Sequence, residues 1–134
     1  MGKKEEVVVP GWTRYSRLTY GAGVTREGGR LLFISGQGPI DENGHLLYPD
    51  DLVAQTRLIY QRIGKVLEAA GGTYDDIVKT TDYIVPAAVP RYKETGAVRR
   101  EFLKGTARAA TGVIVHSLLK EGMLIEIDAI AVLD

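Results

Sequence analysis

The chain has 134 residues, 45% hydrophobic and 25% charged, enough for one core and one domain spanning 1–134. Seventeen basic residues balance seventeen acidic ones, so no overall field gathers phosphate backbones or anionic lipid, and neither a nucleic-acid nor a membrane partner is expected. Cysteine is absent, which excludes disulfides, thiolate nucleophiles and cysteine metal sites; His45 and His116 stand in no metal-ligand spacing, so no metal is expected.

The opening MGKKEEVVVP has no long apolar run for a signal peptide or membrane span, which points to a cytoplasmic protein, with residues 1 to about 6 expected to be loose. In VTREGGRLLFIS, Val24 to Ser35, Gly28 and Gly29 separate two β-prone stretches and supply the positive φ of a tight turn, which predicts a β-hairpin. Asn43-Gly44 is a second turn signal, after which Pro49, Asp50 and Asp51 lead into a helix running from about Asp51 to Ala70. Its residues Leu52, Ile59, Ile63, Val66, Leu67 and Ala70 recur at three- and four-residue steps and predict a buried stripe. Arg57, Gln61, Lys65 and Glu68 form the wet face, and Gly71-Gly72 the stop.

The β-branched run Asp76 to Val85 reads as a strand ending before Pro86 and Pro90. A second helix follows, with Tyr92, Thr95, Val98 and Phe102 on one side and Gly105 at its end; Gly96 inside it costs about 1 kcal/mol relative to alanine. Two strands complete the chain, Ala109 to Ser117 and Met123 to Leu133. On the last, Ile125, Ile127, Ala129, Ala131 and Leu133 share one face, while Leu124, Glu126, Asp128, Ile130 and Val132 share the other. This order predicts an α+β fold, a mixed sheet with both helices packed on one face. The second face is too apolar to stay in water, so self-association is expected to bury it.

Three segments, LLFISGQGPID (31–41), DDIVKTTDYIV (75–85) and LIEIDAIAV (124–132), resemble the signatures of the RidA-like (YjgF/YER057c/UK114) family, in that family's order. The resemblance implies a chorismate-mutase-like homotrimer with its sheets facing inward and small-molecule clefts between subunits. It also implies cofactor-independent hydrolysis of enamine and imine intermediates to ketoacid and ammonia. By the same resemblance, Tyr20 in LTYGAGV matches the pocket tyrosine, Ser35-Gly36 the turn lining the cleft, and Glu126 the glutamate that holds water or the departing amine. One position departs from the family: where an arginine clamps the substrate carboxylate, alignment gives Ala110, or Thr111 if the gap is moved. Arg108 lies two residues before Ala110, on the same face of a regular strand and about 7 Å away along the chain, and is a candidate partial substitute. The alternative is a solvent-exposed arginine at the start of the strand.

Imine hydrolysis needs water at an electrophilic carbon and a proton for the leaving nitrogen, and one carboxyl group can serve both. Glu126, between Ile125 and Ile127, is that carboxyl, and burial in a cleft would raise its pKa; the alternative is a structural acid paired with a cation across the interface. Tyr20 either orients substrate or packs, and Asp128 reads as structural. His116 shares the strand parity of Arg108 and Ala110 and reads as a surface or interface residue. The glycines of SGQGP and GAGV lack the ending of a phosphate loop. The leading function is an enamine/imine deaminase-like hydrolase with non-standard specificity, for which 2-aminoacrylate is a poor substrate. The second is a non-catalytic small-molecule-binding or regulatory trimer. The third is an endoribonuclease, for which a basic patch and a histidine pair are missing from the sequence.

Overall fold

A computed structural model describes residues 3–134. In chain order it has β1 (Lys4–Val7), a 3-10 segment (Thr13–Arg17), β2 (Gly23–Arg26), β3 (Arg30–Gln37) and α1 (Leu52–Ala70). A 3-10 turn (Tyr74–Asp76), β4 (Ile77–Ile84), a longer 3-10 segment (Pro86–Thr95), α2 (Gly96–Leu103), β5 (Ala109–Ile114) and β6 (Ile125–Leu133) follow. The main sheet runs β3-β6-β4-β5. β6 is antiparallel to both of its neighbours, and β4 and β5 are parallel. A parallel pair needs a crossover connection, here the Pro86–Thr95 segment and α2.

Two expectations about the first third of the chain are corrected. Residues 4–6, within the stretch expected to be loose, form β1 together with Val7, and β1 pairs with β2 from Lys4 opposite Arg26 to Val7 opposite Gly23; residues 1 and 2 lie outside the described residues. β2 and β3 do not form a hairpin ladder, because β2 pairs with β1 and β3 with β6. Gly28 and Gly29 do take the positive φ their sequence suggests, +67° and +88°. A Cβ on Gly29 would lie 2.3 Å from the Leu133 carbonyl oxygen, so this glycine admits the end of β6.

The Asp51 side chain caps α1 by accepting from the Ala54 amide at 3.0 Å, and Gly71, at φ +85°, closes it. The buried stripe contains Leu52, Ile59, Ile63 and Leu67, with Val66 and Ala70 only partly covered. It also takes in Gln55, Thr56 and Tyr60, which periodicity of apolar residues could not mark. Gln55 Nε2 donates to the carbonyls of Tyr48 and Gly122, each at 3.0 Å, and its Oε1 accepts from the Leu124 amide at 2.8 Å, which ties two loops to the helix. On the outer face, Gln61, Lys65 and Glu68 are exposed, whereas Arg57 is half-buried and pairs with Glu101 on α2 at 3.3 Å.

Gly96 opens α2 instead of interrupting it, because the preceding ten residues are 3-10, and the interior-glycine cost does not arise. β5 stops at Ile114 and β6 starts at Ile125, both shorter than expected. Ile125, Ile127, Ala129, Ala131 and Leu133 are buried in the core with α1. The other face of the sheet carries no helix: Leu31 and Phe33 on β3 are 64% and 68% exposed, and Glu126, Asp128 and Ile130 are only partly covered.

Candidate functional site

The candidate residues fall into two groups. The first lies on the open face, where the β3–β6 register shifts between Ile34 and Gln37 and leaves Ser35 and Gly36 on a bulge. A Cβ on Gly36 would stand 2.3 Å from Glu126 Oε2, so glycine is what lets bare backbone approach this carboxylate. Ser35 is exposed beside it, and Gln37 Nε2 donates to the Ser35 carbonyl at 3.1 Å. Across the ladder Glu126 faces Tyr83 of β4. The Tyr83 hydroxyl donates to Asp128 Oδ2 at 3.0 Å, and this bond is the leading cause holding the phenol above its ordinary pKa. Asp128 thus has a phenol partner. The burial expected of Glu126 is not supplied by its own chain, where the residue stays partly exposed.

The second group lies beside β5. Tyr20, Arg108, Ala110 and Thr111 line a single cavity of about 340 Å³, beneath a strap formed by residues 17–20. Ala110 pairs with Thr80, and the Arg108 side chain donates from Nε to Thr80 Oγ1 at 3.1 Å, on the helix-covered side of the sheet. Its Nη1 donates to the Thr19 carbonyl, and its own carbonyl accepts from the Gly21 amide at 2.9 Å, so Arg108 latches the strap twice. At 1% exposure it is not the solvent-exposed arginine of the alternative reading. Burial lowers its pKa from the ordinary guanidinium value. Thr111 Oγ1 accepts from Lys79 Nζ at 2.5 Å. His116 lies beyond β5, on the surface of the single chain.

Sequence reasoning missed the floor of this cavity. Asp82 on β4 accepts at Oδ2 from Arg99 Nη2 at 2.6 Å and from the Tyr92 hydroxyl at 2.5 Å, while its Oδ1 has no partner among the described residues. The Arg99 guanidinium also stacks 4.8 Å from the Tyr92 ring centre. Burial works against the Arg99 charge, but Asp82 and the two tyrosines outweigh it and raise its pKa. Tyr92 and Tyr60 are pushed up by burial and then by the Asp82 charge, Tyr60 to about 12. The available signal was a carboxylate between Thr80 and Ile84 at core-facing positions of a strand, which demands a buried partner.

The two groups do not meet within one chain. Glu126 is on the open face and Arg108 on the helix-covered one, and β6 and β5 flank β4, about 10 Å apart. Among the described residues no His, Cys, Asp and Glu cluster is arranged to hold a metal ion, and no helix is long and apolar enough to cross a membrane.

A mixed sheet roofed by helices on one side only, with a glutamate over a glycine bulge on the other, defines an α+β protein of the YjgF type. A structure from the conserved Rid protein family of Yersinia pestis, YyfB, superposes with a TM-score of 0.87 at 30% identity, covering 97% of this chain and 98% of that one. The YjgF/YER057c/UK114 family member Rv2704 of Mycobacterium tuberculosis gives a TM-score of 0.66 at 28% identity, covering 98% and 100%. A RutC family protein of Pyrococcus horikoshii is 35% identical over 103 residues, 77% of this chain and 79% of that protein. The family model described as Endoribonuclease L-PSP matches residues 13–133, and the chain belongs to this RidA-like family.

Proposed function

We propose that the chain is a cofactor-independent hydrolase of the enamine/imine deaminase type, acting on a small reactive intermediate and releasing ammonia. In this reading it works as a homotrimer whose clefts bring the Ser35–Gly36–Glu126 group of one copy against the Tyr20–Arg108–Ala110–Thr111 wall of the next. The observation that carries it is the Glu126 carboxyl held against bare Gly36 backbone on a sheet face that its own chain leaves uncovered.

The chemistry follows from one carboxyl group. In its acid form Glu126 gives a proton to the imine nitrogen; as carboxylate it takes one from water, whose oxygen bonds to the electrophilic carbon. The carboxyl, having taken the water proton, passes it to the carbinolamine nitrogen; the C–N bond breaks to release ammonia, and the hydroxyl proton returns to the same carboxylate, giving the ketone. Covering the open face with another copy would exclude bulk water and strengthen each of these contacts. Ser35 supplies a hydroxyl at the rim and Tyr20 an aromatic wall. Ala110 takes the place of the family's carboxylate clamp, so 2-aminoacrylate should turn over slowly.

Glu126→Gln tests the assignment. Ammonia release from a generated imine pool should fall by about 10²-fold or more while ligand binding, measured by calorimetry, is preserved. Unchanged turnover would remove Glu126 from the reaction. A second reading, a non-catalytic ligand-binding trimer, is favoured by the way Arg108 is already occupied by Thr80 and Thr19. It predicts saturable binding with no ammonia release from the unaltered protein.

A further inference from the structure

The cavity beside β5 is far more basic than the protein that contains it. Acidic and basic residues balance over the whole chain, yet Arg17, Lys93, Arg99, Arg100 and Arg108 line this one space against the single carboxylate of Asp82. Asp82 is already paired with Arg99, so four positive charges are left without a local counter-charge in the cavity wall. Its floor is held by side-chain contacts: the Arg108 guanidinium is fixed through Nε to Thr80 and through Nη1 to Thr19. Arg99 is fixed by Asp82 and by the Tyr92 ring. Lys93, Arg100 and Arg17 stand exposed at the rim. On the cavity-facing side of β5 the residues are Ala110 and Gly112, which leave the mouth open.

A space of about 340 Å³ lies within the range of small-molecule sites and exceeds what one carboxylate occupies. The exposed cations Arg17, Lys93 and Arg100 at the rim add attraction for a second negative charge, strongest at low ionic strength. We propose that this cavity receives a second anionic arm of the substrate, a carboxylate or a phosphonate-like group, and so selects dianionic over monoanionic acids. That the ligand is a substrate rests on the deaminase reading; the cavity itself lies within one chain and needs no turnover to bind. It gives the Ala110 position a purpose: with no arginine side chain there, the floor stays reachable.

Calorimetric titration of the full chain at low ionic strength with propionate, succinate and 3-phosphonopropionate tests this. At least one of the two dianions should bind tenfold or more tightly than propionate, and which of them does identifies the arm. The preference should disappear in the double variant Lys93→Gln, Arg100→Gln, whose exposed positions leave the fold intact by thermal melting. Equal affinities for all three acids, or a preference that survives the double variant, would overturn the proposal. If Glu126→Gln keeps full turnover while the dianion preference holds, the deaminase reading fails and the cavity assignment stands. If Glu126→Gln loses turnover and no dianion is preferred, the reverse is true.

Discussion

Asp82 and Arg99 meet at 2.6 Å with both side chains almost wholly buried, so neither charge survives comfortably without the other. Asp82→Ala should therefore destabilise the protein by about 3–5 kcal/mol, read as a shift in the denaturant midpoint, because it leaves a buried guanidinium unpaired. Gly36→Ala acts through one atom, a Cβ that would stand 2.3 Å from Glu126 Oε2. It should displace the carboxylate by about an ångström and lower turnover roughly 10²-fold, with melting temperature changed far less. Tyr60 gives a pH prediction with a definite sign. Its folded pKa, about 12, lies above the ordinary tyrosine value of 10.0, so the fold favours the protonated phenol. The stabilisation is complete below about pH 10 and is lost as pH rises toward 12, since the unfolded chain releases the proton first. Denaturation midpoints between those values should fall less steeply for Tyr60→Phe than for the unaltered protein, with Tyr92 supplying the remaining slope.

At the scale of elements, α1 was legible to within a residue because both of its ends are chemical statements: an aspartate that accepts from the Ala54 amide and a glycine at positive φ. Asp51→Ala should cost about 1 kcal/mol, measured by chemical denaturation, since it orphans that amide. All five residues assigned to the core face of β6 are buried, but Leu124 and Val132, assigned to the face that self-association was to cover, are buried within the chain as well. The strand pairing around the first turn was not legible, because Gly28-Gly29 describes a bend and says nothing about which strand lies beside each arm. The partners of β2 and β3 come from opposite ends of the described chain, a matter of long-range competition invisible to local pattern. The open-face group at Ser35, Gly36 and Glu126 could be named from the resemblance and Arg108 from strand parity, but the Asp82–Arg99 pair on the cavity floor could not. Arg108 owes its burial to a carbonyl on the strap at Thr19, and Asp82 finds its partner on α2; neither spacing is local.

For the whole molecule, the uncovered sheet face is the feature from which assembly is argued. Leu31 and Phe33 stand well exposed on it, beside the partly covered Ile130, a surface of the kind that monomers seldom leave in water. Sedimentation should give a particle of three chains, and Phe33→Asp should shift it toward one; a folded monomer at micromolar concentration would end the trimer proposal.

The place of β6 between β3 and β4 also governs how the sheet can be made. Those two strands have no ladder with each other, so β3 joins the β4–β5 pair only through the late segment β6, Arg30 meeting Leu133 and Ile84 meeting Ile125. Contacts so distant along the chain close slowly. On a translating ribosome, β3 would emerge with its edge unpaired and its core-facing Leu32 and Ile34 uncovered, in need of a chaperone's cover until β6 arrives.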